Sequence, residues 1–157
     1  NQRVIQEQDV IILDLGCRCK SYCSDTSRTF FVGEPTDEQR KIYEIVRLSQ
    51  AAGEAAVQPG ATGQDVDRAA RRIIEDAGYG KYFFNRVGHG AGIAVHENPY
   101  IIEGNDKPLM PGNVFSVEPG IYIAGKFGMR IENLVAVKPD GTAEALNKTT
   151  REMRIIR

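Results

Sequence analysis

The pattern of apolar and polar residues predicts a β-hairpin near the start of the chain. Residues 10–15 form an apolar run that only Asp14 interrupts, which is typical of a buried strand. Residues 21–32 are rich in Tyr, Thr and Phe and predict a second strand. A two-residue turn at Cys19-Lys20 would place Asp14 directly opposite Asp25.

Two opposed acids in such a hairpin need a physical explanation. Their Cβ atoms would lie roughly 4.5–5.5 Å apart, and two carboxylates at that separation repel each other by about 4 kcal/mol at an effective dielectric constant near 20. One acid would then keep its proton, whereas a cation between them reverses the sign of the interaction. The hairpin alone leaves a second interpretation open, in which Asp14 ends a strand, Asp25 lies in a turn, and both are solvated.

Two amphipathic helices are predicted next. Thr36 and Gln39 have the spacing of a capping box, and apolar residues recur at helical spacing until Pro59-Gly60 ends the first helix. Its alanines indicate close packing on a sheet. The second helix is predicted to start at Thr62 and to end at Gly78, a typical C-terminal residue.

A glycine-rich region with both histidines of the chain follows. Residues 82–87 predict a strand, and residues 88–92, GHGAG, predict a loop or a strand edge. The region lacks the third glycine of a dinucleotide-binding motif and the Lys-Ser/Thr of a P-loop, so nucleotide binding is disfavoured. A single histidine is usually structural, but the glycines around His89 leave room for a ligand or metal ion. The second histidine is His96.

A second hairpin repeats the arrangement of the first. Glu118 ends the alternating pattern VFSVEPGIYI, and Glu132 lies in the pattern MRIENLVAV. A three-residue turn centred on Gly125 places the two glutamates opposite each other. Two hairpins that each pair two acids are harder to attribute to chance than one. A last short strand is predicted within residues 151–157.

Composition and charge narrow the classes of partner. The 157 residues are 41% hydrophobic, enough for one domain with a core. The 20 basic and 21 acidic residues give a net charge of -1 and no basic stripe, so no nucleic-acid partner is expected. No apolar run approaches the ~20 residues of a membrane span, and no signal peptide pattern is present. We therefore predict a cytoplasmic protein without a membrane partner.

Three clustered cysteines raise the question of a thiolate metal site. Cys17, Cys19 and Cys23 lack a fourth ligand and the usual CxxC spacing, so we interpret them as structural thiols rather than as ligands. An odd number of cysteines without a secretory pattern also favours a reducing compartment.

The acids and the first histidine form a candidate set of metal ligands. The set is Asp14, Asp25, His89, Glu118 and Glu132. It has too many members for one tetrahedral zinc and too few neutral carbonyls for a calcium loop. It suits two divalent ions about 3.5–4 Å apart, such as manganese, iron or cobalt, which would make a shared water available as hydroxide near neutral pH. The predicted product is a hydrolytic nucleophile.

The motifs around these residues resemble those of the pita-bread metallopeptidases, which are the methionine aminopeptidases, Xaa-Pro aminopeptidases and prolidases. The resemblance covers residues 4–137 and rests on LDLG, SDTSRTF, GHGAGIAVHENP, VEPGIY and RIEN. The residues of the last two motifs are more similar to those of the Xaa-Pro branch. The resemblance therefore implies an α+β pita-bread fold, an antiparallel sheet with covering helices.

The resemblance also implies a role for each ligand. Asp14 would bind one metal in a bidentate manner, and Asp25 and Glu132 would bridge both metals. His89 would be the single imidazole ligand, and Glu118 would bind metal and handle the proton of the attacking water.

Two further residues acquire roles from the resemblance. His96 corresponds to a histidine that is not a ligand but hydrogen-bonds the substrate and stabilises the tetrahedral intermediate. Arg130 corresponds to a cation that contacts a ligating carboxylate, and a guanidinium two residues before Glu132 could hold a ligand in place on chemical grounds alone. The alternative for Arg130 is a partly exposed strand residue.

The chain departs from the family at its start. The family has further helices and strands before the first metal aspartate, a substrate-binding histidine in that segment, and in the Xaa-Pro branch a separate N-terminal domain. We expect residues 1–157 to form one domain, the C-terminal portion of a catalytic domain that lacks the start of its first half. Such a chain would be weakly active or inactive alone, and its exposed sheet would favour self-association into a homo-oligomer.

The predicted function is metal-dependent hydrolysis of N-terminal peptide bonds in a peptide or dipeptide substrate. We predict two divalent ions, with manganese favoured over cobalt, iron or zinc, and a bridging hydroxide as nucleophile. An Xaa-Pro aminopeptidase or Xaa-Pro dipeptidase is the first hypothesis. The alternatives are a methionine aminopeptidase and a non-catalytic module that binds peptides or partners, which retention of all five ligands disfavours.

Overall fold

The computed structural model describes residues 2–157, so Asn1, part of the predicted domain, lies outside the description. Two helices, α1 (Asp37–Ala55) and α2 (Gly63–Asp76), pack against each other and against a layer of short strands. The strands are β1 (Val10–Leu15), β2 (Arg18–Cys19), β3 (Tyr22–Cys23), β4 (Thr26–Val32), β5 (Gly88–Gly90), β6 (Glu97–Ile101), β7 (Val114–Val117), β8 (Gly120–Ile123), β9 (Phe127–Arg130), β10 (Asn133–Val137), β11 (Ala143–Ala145) and β12 (Arg154–Ile156). None of the helices described is long and apolar enough to cross a bilayer.

The first hairpin forms, but its predicted register is wrong. β1 pairs with β4 in a register that places Asp14 opposite Ser27 rather than Asp25. The chain reverses at Lys20-Ser21, one residue later than predicted, with φ angles of 47° and 72°. Two positive φ angles match the right-handed twist of the flanking strands. Moving the turn by one residue shifts the register by two, so both acids stay on one face as diagonal neighbours.

The helices agree with their predicted start signals. Thr36 and Gln39 form both bonds of a capping box, and Thr62 forms another with Asp65. The first helix ends at Ala55, earlier than predicted. Gly53 packs closely against β7, because a Cβ atom there would meet a Val117 methyl carbon at 2.7 Å.

The predicted strand over residues 82–87 is wrong. A 3₁₀ turn, Gly80–Tyr82, is followed by irregular backbone that polar side chains of α2 hold in place. Arg71 donates to the carbonyls of Phe83 and Asn85 at 3.0 and 2.8 Å, and buried Asp67 accepts from the Val87 amide at 3.2 Å. These bonds replace the ladder that a strand would need. The strand begins only at Gly88, so the first part of the glycine-rich stretch forms β5, which pairs with β6 on one side and with β7 on the other.

The second hairpin has the predicted register. β7 pairs with β10 and β8 pairs with β9, and both ladders place Glu118 opposite Glu132. Gly125 lies at the centre of the three-residue turn with φ of 76°. A five-stranded sheet, β11-β10-β7-β5-β6, contains part of this hairpin, while β1, β4 and β12 form another sheet. β12 lies within the predicted closing segment and pairs parallel to β4.

Candidate metal centre

The structure brings all of the predicted site residues together in one cavity of about 280 Å³. Asp14 comes from β1, Asp25 directly precedes β4, and His89 lies in β5. Glu118 follows β7, and Glu132 connects β9 to β10. The remaining residues that line the cavity are Asn85, Arg86, His96 and Arg130.

Asp25, His89 and Glu132 form the centre of this cluster. Each offers a ligand atom, and the three atoms lie within 4.8 Å of one another. The His89 Nε2 atom lies 3.0 Å from Glu118 Oε1 and 3.8 Å from Asp25 Oδ2. Side chains from distant parts of the sequence thus converge at a spacing that a metal ion could bridge.

His89 has the orientation of a metal ligand. Its Nδ1 atom lies 3.1 Å from the carbonyl oxygen of Gly90. A carbonyl only accepts, so Nδ1 carries the hydrogen and Nε2 faces the carboxylates, as is usual for ligating histidines. Burial lowers the pKa of His89, but the hydrogen bonds with Glu118 and with the Gly90 carbonyl and the charge of Glu118 together outweigh burial, so the pKa is raised.

The electrostatics of the carboxylates favour a cation. Burial, together with repulsion from Glu118, Asp25 and Asp14, raises the pKa of Glu132 to about 8. Burial and the charge of Asp14 also raise the pKa of Asp25. These groups are costly to ionise while they face only one another, and a divalent cation among them removes that cost. The residues therefore fit a metal ion, and oxygen donors with one imidazole suit a hard or borderline cation.

Two serines that sequence reasoning missed position the ligands. Ser27 donates to Glu132 Oε2 at 2.6 Å, and Ser116 donates to Glu118 Oε1 at 3.0 Å. Ser116 precedes Glu118 by two residues, so strand periodicity could have placed it on the same face. Ser27 could be found only with the correct register of the first hairpin.

Arg130 is engaged by the site and is not a loosely exposed strand residue. Its guanidinium donates to Asp14, to Ser27 Oγ at 3.0 Å and to the Tyr122 hydroxyl at 3.0 Å. Its side chain is 17% exposed. Arg130 therefore orients the most exposed of the candidate ligands.

His96 lies at the junction of two cavities. Its ring stands perpendicular to that of His89, with 4.1 Å between their centroids. His96 also lines an adjoining pocket of about 490 Å³, together with Cys17 and Cys23. Within residues 2–157 no cysteine belongs to a group that could hold a metal, and none of the three is in a disulfide.

Comparisons with known proteins agree with the motif resemblance. An Xaa-Pro dipeptidase of Lactobacillus delbrueckii subsp. lactis is 45% identical over 99% of this chain and 42% of its own length. A prolidase structure from Thermococcus sibiricus has 47% identity and a TM-score of 0.96 over 99% of this chain and 42% of its own. An X-Pro aminopeptidase structure from Thermotoga maritima has 40% identity and a TM-score of 0.95, over 99% and 44%. The chain spans less than half the length of these relatives.

The likeness confirms the pita-bread α+β fold, and the shared family implies dependence on divalent metal. The sequence profile of metallopeptidase family M24 matches residues 1–139, far more than half of the chain. The chain therefore belongs to metallopeptidase family M24.

Proposed function

We propose that the protein with this chain is an Xaa-Pro dipeptidase or aminopeptidase that uses two divalent ions, preferably manganese. One observation carries the proposal: five potential ligands from five separate segments line one cavity, where buried carboxylates repel each other without a cation. The names of the relatives support the substrate class. Residues 1–157 would be the C-terminal portion of the catalytic domain.

Each ligand is proposed from its position in the cluster. Asp25 and Glu132 would bridge the two ions, because they lie with His89 at the centre of the group. Asp14 would bind one ion from the rim, and His89 would bind through Nε2. When bound, the ions supply a water that loses its proton near neutral pH.

The proposed proton acceptor is Glu118. One oxygen contacts His89 and Ser116, while the other lies 3.9 Å from Arg130. Burial raises the pKa of Glu118, but the hydrogen bonds with His89 and Ser116 and the charges of His89 and Arg130 together lower it, so Glu118 is held in its carboxylate form. Glu118 would then return the proton to the leaving amine.

The proposed role of His96 is to hydrogen-bond the substrate carbonyl. Its ring lines the cavity beside His89, next to the adjoining pocket that could take substrate side chains. Arg130 would act as a positioning residue that holds Asp14.

The proposed assembly and location rest on two further features. β1 is an edge strand, and its Leu13 and Leu15 are 45% and 58% exposed, which supports self-association through this edge. Leu13→Thr combined with Leu15→Thr should lower the apparent mass in sedimentation. The three free thiols support the reducing cytoplasm as the location.

The function is tested with the purified protein that carries residues 1–157 as part of the complete catalytic domain, loaded with manganese. Metal analysis should find two ions per chain, and Ala-Pro should be hydrolysed faster than Met-Ala. Asp25→Asn should lose both metal and activity, while exposed Arg72→Met serves as a control outside the site. Folded, metal-loaded protein that does not cleave Ala-Pro would refute the proposal, and faster cleavage of Met-Ala would assign the methionine branch instead.

A further inference from the structure

The two acids proposed to bridge the metal ions come from different sheets. Asp25 directly precedes β4, which lies between β1 and β12, and Glu132 directly precedes β10, which lies between β7 and β11. Among the strands described, no ladder joins β4 to β10. One backbone bond joins the two segments, from the Glu132 amide to the Ser27 carbonyl at 3.1 Å. The separation of the two acids therefore depends also on side chains that connect β4 with β10.

Asn147 makes one of these connections. It lies two residues after the end of β11, where the backbone pairing with β10 stops. Its Oδ1 atom accepts from the Leu134 amide at 2.6 Å, and its Nδ2 atom donates to the Asp25 carbonyl at 3.1 Å. An amide side chain is both acceptor and donor, so it fits these two backbone groups in one orientation only. Asn147 thus ties the backbone of Asp25 to a position two residues after Glu132.

Arg28 makes a second connection and holds the segment that carries Asn147. Arg28 is buried, and its Nη1 atom donates to the carbonyl of Ser27 at 2.8 Å and to the carbonyl of Glu132. Its Nη2 and Nε atoms donate to the carbonyls of residues 149 and 150 at 2.8 and 2.9 Å. One guanidinium therefore binds the backbone of both hairpins and the chain just after Asn147.

These bonds act on a different part of each ligand from the contacts described above. Ser27 and Arg130 bind carboxylate oxygens of the ligands, whereas Asn147 and Arg28 bind the main chain from which the bridging carboxylates project. Carboxylates that face one another repel when no cation lies between them. A main chain that is already fixed lowers the cost of bringing them together when metal binds.

We propose that Asn147, supported by Arg28, is a positioning residue that holds Asp25 and Glu132 at the separation at which both can bind one pair of ions. This inference rests on the proposed two-metal site, and it assigns a role to a residue that is neither a ligand nor part of the cavity. Asn147 acts through the main chain and takes no part in proton transfer.

Three variants separate this role from a general effect on stability. Asn147→Ala removes both bonds. Asn147→Asp keeps an acceptor for the Leu134 amide but loses the donor to Asp25, and its added negative charge would by itself favour cation binding. Tyr43→Phe is the matched control, because the Tyr43 hydroxyl donates to the Arg151 carbonyl at 3.0 Å. Its loss loosens the same part of the chain without removing a bond to either acid.

Metal binding is the first readout, measured on the protein that carries residues 1–157 within the complete catalytic domain. In calorimetric titration with manganese, Asn147→Ala and Asn147→Asp should each bind about 10- to 100-fold more weakly, as is typical when a group that orients ligands is lost. At equal metal loading, both should show less of the electron paramagnetic resonance signal of a spin-coupled manganese pair. Tyr43→Phe should bind manganese as tightly as the original chain, and urea denaturation confirms that each variant is folded.

Kinetics at saturating manganese supply the second readout. Asn147→Ala should lower kcat for Ala-Pro with little change in KM, because the ions are displaced while the substrate contacts remain. Unchanged manganese affinity in Asn147→Ala, or equal weakening in Tyr43→Phe, would overturn the inference. Asn147→Asp that binds like the original chain would also overturn it, because Asn147 would then serve only to anchor β10. Weaker binding in both Asn147 variants of a protein that does not cleave Ala-Pro would support the positioning role and refute the proposed function alone.

Discussion

The two hairpins each supply two acids to the site, yet they differ in burial and in how well their pairing was predicted. The second hairpin buries Glu132 to 1% exposure, whereas Asp14 of the first hairpin has a side chain that is 49% exposed. The second turn contains Gly125 at its positive φ position, and the first turn reverses at Lys20-Ser21 without a glycine. Burial and turn chemistry therefore define the register of one hairpin strongly and of the other weakly.

The largest expected effect is a difference in metal affinity between variants of the buried Glu132 and the exposed Asp14. Glu132→Gln should lower metal affinity and activity by about 100-fold or more, because loss of a ligand should cost at least as much as loss of its supporting group. Asp14→Asn should lower affinity less, since solvent and Arg130 already compensate its charge. Metal titration monitored by calorimetry measures both, and a larger loss for Asp14→Asn would contradict the comparison.

The pH dependence of the metal-free protein should reveal the buried glutamate. The pKa of Glu132 is raised from 4.5 to about 8 on folding, so the folded state binds more protons than the unfolded state between these values. The contribution of Glu132 to the free energy of unfolding should thus be greatest below pH 4.5 and fall by up to about 5 kcal/mol as the pH rises to 8.

Glu132→Gln supplies the control for this pH effect. The free energy of unfolding, measured with denaturant across the pH range, should decline in the original chain. The decline should be absent in the variant. Added manganese should reverse the decline, because it binds the ionised form. A flat profile in the original metal-free chain would show that Glu132 ionises there without cost.

Ser27 should matter to both hairpins, because it joins them. It lies opposite Asp14 in β1, donates to Glu132 and accepts from Arg130. Ser27→Ala should weaken metal binding by about 10- to 100-fold, as is typical for groups that orient ligands. Ser116→Ala removes a hydroxyl that bonds Glu118 and the His89 amide, and it should have a smaller effect. A larger loss of metal affinity in Ser116→Ala than in Ser27→Ala would show that the metal site depends mainly on the hydrogen bond within the second hairpin.

The smallest effects concern the two turns. Replacing Lys20-Ser21 by Asn-Gly should stabilise the fold by about 1 kcal/mol, because those residues adopt positive φ at a lower cost. Gly125→Ala should destabilise it by about 1 kcal/mol, since a side chain there is strained although space is open. Urea denaturation measures the free energy of unfolding of each variant. Destabilisation by Asn-Gly together with stabilisation by Gly125→Ala would show that turn chemistry does not explain the difference between the hairpins.

Local signals in the sequence predicted much of the fold. The capping box at Thr36, the helix start at Thr62 and the glycine turn at Gly125 are short-range features, and each forms as expected. The strand predicted over residues 82–87 failed because Asp67 and Arg71, from another element, bind its backbone. Local periodicity carries no information about such a partner.

The sequence by itself determined which residues could bind a metal, since carboxylates and imidazole in these motifs have few other uses together. It also determined that the second hairpin pairs Glu118 with Glu132. Only the tertiary structure decided that Ser27 faces Asp14 and that Arg86 lines the cavity with an Nε atom that has no hydrogen-bond partner among residues 2–157. Register shifts and unpaired donors arise from packing between distant segments, where the free energy depends on three-dimensional neighbours rather than on spacing along the chain.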